Sequence, residues 1–282
     1  MPRSSYQPIE RLRAIELLLL WEGRVSRGRL LDFFTIAPSL ASRTLADFRR
    51  EYPDEMRFDT ASRSYIAALG FKPALTLGKF GEYVRLLGSA GDLEAKANVP
   101  VDAVRAETPD VKPWTFSALH AAVRDQRVVA IRYRSLRDPE PHTRTLRPHA
   151  FGQAGPRWHL RAYCAETSDF RDFNLAWIQS AKPSGAEGLP AADADTDWNT
   201  RVELILVPHE GLTPTQARLV RDEYCAGTTA LVLTVRVAML RYVIHAYRAA
   251  LDPDREPAPD HLLMVHRPNK LPAAAHWRSD NS

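Results

Sequence analysis

The sequence has few cysteines and no long apolar run, and each shortage excludes a class of protein. Its two cysteines, Cys164 and Cys225, lie too far apart for a zinc spacing and are too few for a disulfide framework. The apolar run at residues 17–21 is far shorter than the ~18 residues that a membrane span needs. No apolar signal segment precedes it. We therefore expect a cytoplasmic protein without membrane contact, in which both cysteines are buried.

Patterns for catalysis, metals and cofactors are also missing. No Gly-rich phosphate loop or dinucleotide fingerprint occurs. His159 and Cys164 lie five positions apart in one strand-like run, which places them on opposite faces and argues against a Cys–His pair. The acidic residues at 193–197 lack the glycine and distal glutamate of a calcium loop, and the histidines lack zinc spacing. The sequence predicts no catalytic residues, no metal and no cofactor.

What the chain does have is an ordinary globular composition with a surplus of arginine. It is 45% hydrophobic and 26% charged, which predicts a packed core and excludes collagen-like or wholly disordered classes. Its 282 residues are enough for two or three domains. The net charge is +4, and almost all of the positive charge is carried by arginine, which suits bidentate contact with phosphate or carboxylate. Residues 114–185 hold eleven basic residues against six acidic ones.

The first 67 residues have the pattern of three helices followed by a hairpin. Apolar residues at helical spacing predict a helix over residues 9–21. Ser26 is placed to cap a second helix and Pro38 to open a third, and their short connection is typical of a helix-turn-helix. Residues 56–67 predict a β-hairpin in the position of a wing.

The third predicted helix separates an apolar face from a face suited to DNA. Ala41, Leu45 and Phe48 fall on one side and are expected to face the core. Short hydroxyl side chains and an arginine near the amino end of the other side could reach base edges in the major groove. The alternative is a solvated helix of a three-helix bundle, and the hairpin that follows favours DNA. The candidate DNA-contacting residues are Ser39, Leu40, Ser42, Arg43, Arg50, Arg57 and Arg63.

The middle of the chain changes from helical to strand-like periodicity. Residues 68–127 predict a helical connector, with residues 75–87 and 114–127 as its best segments. Four strand-like runs then follow over residues 128–180 and predict a small antiparallel barrel or sheet. Residues 182–197 have the composition of a linker.

Hydrogen-bonding side chains are concentrated on these apolar strands. A buried polar group without a partner costs about 1–3 kcal/mol, so several together predict either a satisfied network or a ligand site. Arginines with Tyr and His suit a phosphate together with a base or ribose. The same residues could instead be surface groups on solvated strand faces, and the sequence leaves both interpretations open. The residues are Tyr133, Ser135, His149, His159, Arg161 and Arg171.

The last part of the chain alternates strands and helices. Residues 201–207 and 229–237 predict two strands. Thr213 and Gln216 form a capping box that opens a helix between them, and apolar spacing over residues 240–251 predicts a second helix. This part is expected to be a small α+β domain.

The central strands carry a resemblance to a known family. The run RWHLRAYC at residues 157–164, preceded by LRPH at 146–149 and followed by FRDF at 170–173, is similar to the WYL domain. With the winged helix before it and the α+β unit after it, the chain resembles the WYL-domain transcriptional repressors found beside anti-phage defence operons. His159 stands where the name-giving tyrosine would be, and Trp177 stands where a basic residue is frequent.

The resemblance implies a multidomain α+β architecture. Its parts are a winged helix-turn-helix at residues 1–67, a helical connector at 68–127, an Sm-like β-barrel WYL domain at 128–185 and a dimerisation domain at 198–282. The family's ligand pocket matches Tyr133, Ser135, His149, Arg161 and Arg171, and Trp158 and His159 of the family motif complete the candidate set.

The expected function is that of a homodimeric repressor on an inverted-repeat operator, not an enzyme. Its expected partners are double-stranded operator DNA, a second copy of the chain, and a nucleotide or short oligonucleotide effector in the WYL domain. The resemblance also implies control of a phage-defence operon. Two alternatives are a ligand-dependent activator and an RNA- or single-strand-binding protein that uses the barrel directly.

Overall fold

The structure, a computed structural model, describes residues 6–88, 99 and 109–275. The chain divides into two compact units, a first unit Met1–Arg105 and a second unit Ala106–Ser282. Among the residues described, no helix has both the length and the apolar character to cross a membrane.

The first unit contains four helices and three short strands in its described part. They are α1 (Tyr6–Glu22), β1 (Arg24–Val25), α2 (Arg27–Phe33), α3 (Pro38–Glu51), β2 (Met56–Asp59), β3 (Ser64–Ala67) and α4 (Phe80–Gly88). The strands form an antiparallel sheet in the order β1-β3-β2. The predicted three helices and hairpin are confirmed, and β1 adds a strand that the sequence did not predict.

Local sequence signals explain where these helices begin and end. Gly23, at a φ of +71°, adopts the left-handed conformation that ends α1 and turns the chain into β1. The Ser26 hydroxyl accepts a hydrogen bond from the Arg29 N–H at 3.1 Å and caps α2. Pro38 is the first residue of α3, where its missing N–H is not needed. The fully or nearly buried core of this unit includes Ile15, Leu18, Leu30, Leu45, Phe48 and Met56.

The helix predicted over residues 75–87 begins only at Phe80. The buried carboxylate of Glu16 accepts hydrogen bonds from the backbone N–H groups of residues 74–76, at 2.7 to 3.1 Å. It also accepts one from the Thr76 hydroxyl at 2.6 Å. These backbone donors are satisfied without helical hydrogen bonds, so the segment lies on α1 as a loop.

The second unit begins with one helix and a five-stranded antiparallel sheet. The elements are α5 (Pro113–Arg124), β4 (Val129–Tyr133), β5 (His142–Ala154), β6 (Arg157–Cys164), β7 (Asp169–Asn174) and β8 (Ile178–Pro183). The strand order is β7-β6-β5-β4-β8. Its apolar core lies between the sheet and α5 and includes Leu119, Ile131, Leu146, Leu160 and Phe173.

Two predictions about this sheet are wrong or unconfirmed. The fourth predicted run is two strands, because the Asn174 side chain accepts a hydrogen bond from the Ala176 N–H at 3.1 Å and a short 3-10 turn, Leu175–Trp177, separates β7 from β8. The Sm-like barrel is not confirmed. In the described part of the chain the edge strands β7 and β8 do not pair with each other, so the sheet is not closed.

The carboxyl-terminal part of the second unit is a small α+β layer. It contains α6 (Thr196–Asn199), β9 (Arg201–Pro208), α7 (Pro214–Tyr224), β10 (Leu231–Arg236), α8 (Leu240–Ala246) and β11 (Leu263–Val265), with the sheet order β10-β9-β11. The capping box of Thr213 and Gln216 is confirmed. The second helix ends earlier than predicted, because Arg248 turns the chain at a φ of +47°.

Candidate nucleic-acid interface and ligand cavity

Helix α3 separates buried and exposed faces as predicted. Ala41, Leu45 and Phe48 are buried in the first unit, and the buried Thr44 hydroxyl donates to the Leu40 carbonyl at 2.8 Å. The predicted DNA-facing residues Ser39, Ser42, Arg43 and Arg50 are all exposed, whereas Leu40 is half-buried. The helix therefore presents hydroxyl and guanidinium groups to solvent from a rigid, packed base.

Two arginines of α3 differ in their surroundings. The Arg50 guanidinium lies 2.7 Å from the Asp47 carboxylate in an exposed pair. Arg43 makes no hydrogen bond or ion pair to any residue that the structure describes. Its guanidinium is therefore available to an external anion without first giving up an internal partner.

The predicted wing ends in a turn organised by Asp59. The Asp59 carboxylate accepts hydrogen bonds from the Ser62 hydroxyl at 2.5 Å and the Ser62 N–H at 2.9 Å, which lowers the pKa of Asp59. Arg63 follows at a φ of +51°, and both Arg63 and Arg57 are exposed. The hairpin thus presents two basic side chains, Arg57 on β2 and Arg63 at the turn.

One side of the WYL-like sheet carries a solvent-open cavity of about 460 Å³, lined by both polar and apolar groups. Strand register places Tyr133 opposite His142, Ile131 opposite Arg144, and both pairs on the core-facing side of the sheet. The cavity is therefore an extension of the core towards solvent. Its lining contains three arginines, one histidine and two acidic residues: Tyr133, Ser135, Arg137, Asp138, His142, Arg144, Cys164, Thr167, Arg171, Asp172 and Phe173.

Three of the seven predicted ligand residues line this cavity: Tyr133, Ser135 and Arg171. Burial raises the pKa of Tyr133 to about 12, so its hydroxyl keeps its proton at neutral pH and can donate a hydrogen bond. Arg137, His142 and Arg144 were not identified from the sequence as cavity residues. Positions 142 and 144 could have been found, because residues two and four positions before the core residue Leu146 lie on the same face of the strand.

Arg161 does not line this cavity, and the hollow expected to join it to Arg171 is not formed. In the register of β6 and β7, Arg161 lies opposite Asp172, whereas Arg171 lies opposite Ala162, so the two arginines point to opposite faces. Arg161 instead binds Asp195 in a bidentate pair, with Nε–Oδ2 and Nη2–Oδ1 distances of 2.7 and 2.9 Å. Its Nη1 atom donates to Asp172 at 3.3 Å.

Asp195 is the buried charged residue that the sequence analysis missed most clearly. It lies in the predicted linker, yet it is 1% exposed and caps α6 by accepting from the Trp198 N–H at 3.1 Å. His149 Nε2 lies 2.9 Å from its Oδ2 atom. Burial favours the neutral acid, but the hydrogen bonds from His149 and Arg161 outweigh it and hold the pKa of Asp195 well below its usual range.

The same buried network reaches the carboxyl-terminal layer. The second oxygen of Asp172 accepts hydrogen bonds from Arg241 at 2.8 Å and from the Tyr242 hydroxyl at 3.0 Å. The remaining predicted ligand residues also lie away from the cavity. His159 packs on the Tyr242 ring at 5.1 Å, and burial lowers the pKa of its imidazole. Trp158 is exposed on β6.

The cysteines and the other residue types that bind metals show no metal site in the described part of the chain. Cys164 and Cys225 are both buried free thiols, as predicted, and the Cys164 thiol donates to Glu166 at 3.2 Å. Within residues 6–88 and 109–275, no group of three or more His, Cys, Asp or Glu side chains is arranged to hold a metal ion.

A winged helix, a WYL-like sheet with a basic cavity and a small α+β layer together define a multidomain transcriptional regulator. Residues 8–89 match the BrxR transcriptional regulator winged helix-turn-helix domain, residues 115–183 the WYL domain, and residues 201–271 the BrxR transcriptional regulator C-terminal dimerization domain. The predicted resemblance is thereby confirmed.

Relatives matched over most of their length identify the family. The chain is 33% identical over 241 residues to the DNA-binding transcriptional repressor CapW of Pseudomonas aeruginosa, covering 83% of this chain and 80% of that protein. It is 33% identical over 271 residues to CapW of Stenotrophomonas maltophilia, covering 90% and 88%. The chain belongs to the BrxR and CapW family of transcriptional regulators.

Solved structures are also similar, among them one at low identity. Proteasome accessory factor B/C (PafBC) of Arthrobacter aurescens is 18% identical with a TM-score of 0.29, and the match covers 95% of this chain. The chain spans about half, 47%, of the length of that protein.

Proposed function

We propose that the protein is a homodimeric repressor that binds an inverted-repeat operator through α3 and the wing. The observation that carries the proposal is the exposed face of α3, where Ser39, Ser42 and Arg43 stand opposite the buried Ala41 and Leu45. CapW relatives named DNA-binding transcriptional repressors and the matched dimerization domain support it. Two recognition helices about 34 Å apart would read successive major-groove faces.

We assign one task to each part of the chain. Residues 1–67 read DNA, residues 68–127 connect, residues 128–185 sense a ligand and residues 198–282 dimerise. We propose that this unclosed sheet is an open form of an Sm-like barrel, which is supported by its preceding helix α5 and by the bulge in β5 between Pro148 and Ala150. The regulated genes are a phage-defence operon, and the protein acts in the cytoplasm where its operator lies.

Replacing Arg43 with alanine tests the DNA interface. We expect the Arg43→Ala variant to bind its operator about 10- to 100-fold more weakly, because a base or phosphate contact of this kind contributes about 1–3 kcal/mol. Footprinting of the DNA upstream of the protein's own gene first locates the protected inverted repeat. Fluorescence anisotropy with that duplex then gives the dissociation constants of the wild type and the variant.

The matched control for Arg43 is Arg13. This exposed arginine lies on α1 and pairs with Glu10 at 3.3 Å, so Arg13→Ala removes a charge from the same unit without touching α3. Both variants should remain dimeric and keep wild-type thermal midpoints. Equal affinity of the Arg43→Ala variant and the wild type would remove α3 from the interface, and a footprint without two-fold symmetry would contradict the operator geometry.

We further propose that a nucleotide or short oligonucleotide binds in the cavity and controls DNA binding. Three arginines supply phosphate contacts, the Tyr133 and Ser135 hydroxyls supply hydrogen bonds, and the Phe173 ring supplies an apolar wall. His149, His159, Arg161 and Trp158 were also predicted from the sequence, but they do not line this cavity and the proposal does not use them. A ligand can control DNA binding only if it binds one conformation of the protein more tightly than the other. The operator should therefore change the affinity for the ligand by the same factor by which the ligand changes the affinity for the operator.

Arg171→Ala is the matching test of the cavity. We expect it to weaken binding of a 5′-phosphorylated dinucleotide at least tenfold, because a charge-assisted hydrogen bond contributes about 1.5–3 kcal/mol. Isothermal titration calorimetry measures the effect, with Arg157→Ala as control because Arg157 is exposed on the same sheet outside the cavity. If Arg171→Ala leaves dinucleotide affinity unchanged, or chiefly lowers the thermal midpoint, Arg171 has a structural role and the cavity proposal fails.

A further inference from the structure

The carboxyl-terminal sheet has one face that its own helices do not use as core. Residues alternate along β9, and Leu204 and Leu206 point into the buried cluster formed with Val220 of α7 and Ile244 of α8. The residues between them point the other way. One face of this sheet is therefore packed against the helices that the structure describes, and the other face is not.

The second face is apolar at its centre. Register places Val232 of β10 opposite Ile205, and Met264 of β11 opposite Val207, so these four side chains lie on one face across all three strands. Val232 is 53% exposed, and the other three are partly exposed. We name these four residues the open face. An apolar group of this kind on a sheet surface marks an interaction site.

The border of the open face is polar. Arg201 and Glu203 continue the same alternation along β9, and both are exposed. Thr234 lies opposite Glu203 and is exposed as well. An apolar centre with a polar rim is the usual anatomy of a protein–protein interface. The rim carries charges of both signs, since Arg236 of β10 lies opposite Arg201 and Glu203 lies two residues along β9 from Arg201. Pairing of arginine with glutamate across a two-fold axis can therefore offset like-charge repulsion.

We propose that a second copy of this chain docks on the open face, so that two sheets pack face to face about a two-fold axis. The occupant follows from the match of residues 201–271 to a C-terminal dimerization domain, since all four open-face residues lie in that range. A two-fold dimer uses the same patch on both copies, which is what a single self-complementary face provides. This inference rests on the proposed homodimer and adds the surface that forms it.

Two charge substitutions on the open face test the proposal. In the full-length protein, Val232→Glu and Met264→Glu should each raise the dimer dissociation constant at least tenfold, because each places two like charges in a desolvated interface. Sedimentation velocity over a concentration series measures this shift. The control is Leu219→Glu, which changes a 68% exposed apolar residue on α7, on the other side of the sheet, and should leave the dimer intact. Val232→Thr keeps the side-chain shape and should also raise the dimer dissociation constant, but by less than Val232→Glu.

The outcomes separate this inference from the function on which it rests. A wild-type protein that sediments as a monomer overturns the homodimer itself. A wild-type dimer that survives both Val232→Glu and Met264→Glu overturns the open face and leaves the homodimer standing. Dissociation by Val232→Glu alone also overturns it, because that result indicates edge-to-edge pairing through β10. Loss of the dimer in both variants but not in the Leu219→Glu control supports the proposal.

Discussion

Replacing Asp195 with alanine is expected to lower the free energy of unfolding of the second unit by about 3–5 kcal/mol. The substitution leaves the buried Arg161 guanidinium without its bidentate partner and removes the acceptor that faces His149. Breaking a buried ion pair by removing one partner has a cost of this size, because the remaining charge stays desolvated. Guanidinium denaturation followed by circular dichroism measures the loss.

The control for Asp195 lies two residues earlier. Asp193 is exposed in the same segment, so Asp193→Ala should change the free energy of unfolding by less than about 0.5 kcal/mol. A similar effect of both substitutions would show that the segment as a whole, and not the ion pair, stabilises the unit. An Asp195→Ala variant as stable as the wild type would mean that the network contributes nothing.

The difference in unfolding free energy between the wild type and Asp195→Ala should also depend on pH, which gives an independent check. The pKa of Asp195 is lower in the folded protein than the value of about 3.9 expected when the chain is unfolded. Its contribution to stability is therefore complete above about pH 5 and is lost as the pH falls below about 4 towards the folded pKa. The difference in unfolding free energy between the wild type and Asp195→Ala should shrink over that acid range.

Features that depend on neighbouring residues could be predicted from the sequence. The Ser26 cap, the Pro38 start of α3 and the capping box at Thr213 each involve groups within a few positions, so the residue types alone specify them. The buried face of α3 follows from helical periodicity in the same way. The turn at Asn174 was missed because it contains no glycine or proline to mark it.

Long-range pairing explains what the sequence could not show about the candidate sites. Arg161 and Asp195 are separated by 34 positions, and nothing in the local composition of residues 182–197 distinguishes the buried Asp195 from the exposed Asp193 or the half-buried Asp197. The opposite orientations of Arg161 and Arg171 depend on the register of β6 and β7. Arg137 reaches the cavity from the connection between β4 and β5, whose path only the folded sheet fixes.

The strongest expected effect is the salt dependence of operator binding. If two winged helices together neutralise about 6–10 phosphates, affinity should fall by roughly 10³ to 10⁵ between 50 and 200 mM salt, because each neutralised phosphate releases condensed counterions. The exposed guanidinium groups of Arg43, Arg50, Arg57 and Arg63 are the groups that would make these contacts. Anisotropy titrations of the footprinted duplex at several salt concentrations give the slope of log affinity against log salt.

Single substitutions test which arginines contribute to the slope of log affinity against log salt. Each phosphate contact that is removed should reduce it by about one unit per copy, so Arg63→Ala, at the turn of the wing, should flatten the slope and weaken all duplex sequences about equally. Arg43→Ala, on the face of α3, should instead reduce discrimination between the operator and an unrelated duplex if it contacts base edges. A wild-type affinity that does not change with salt is incompatible with phosphate contacts of this number, and it would leave the exposed face of α3 without a DNA role.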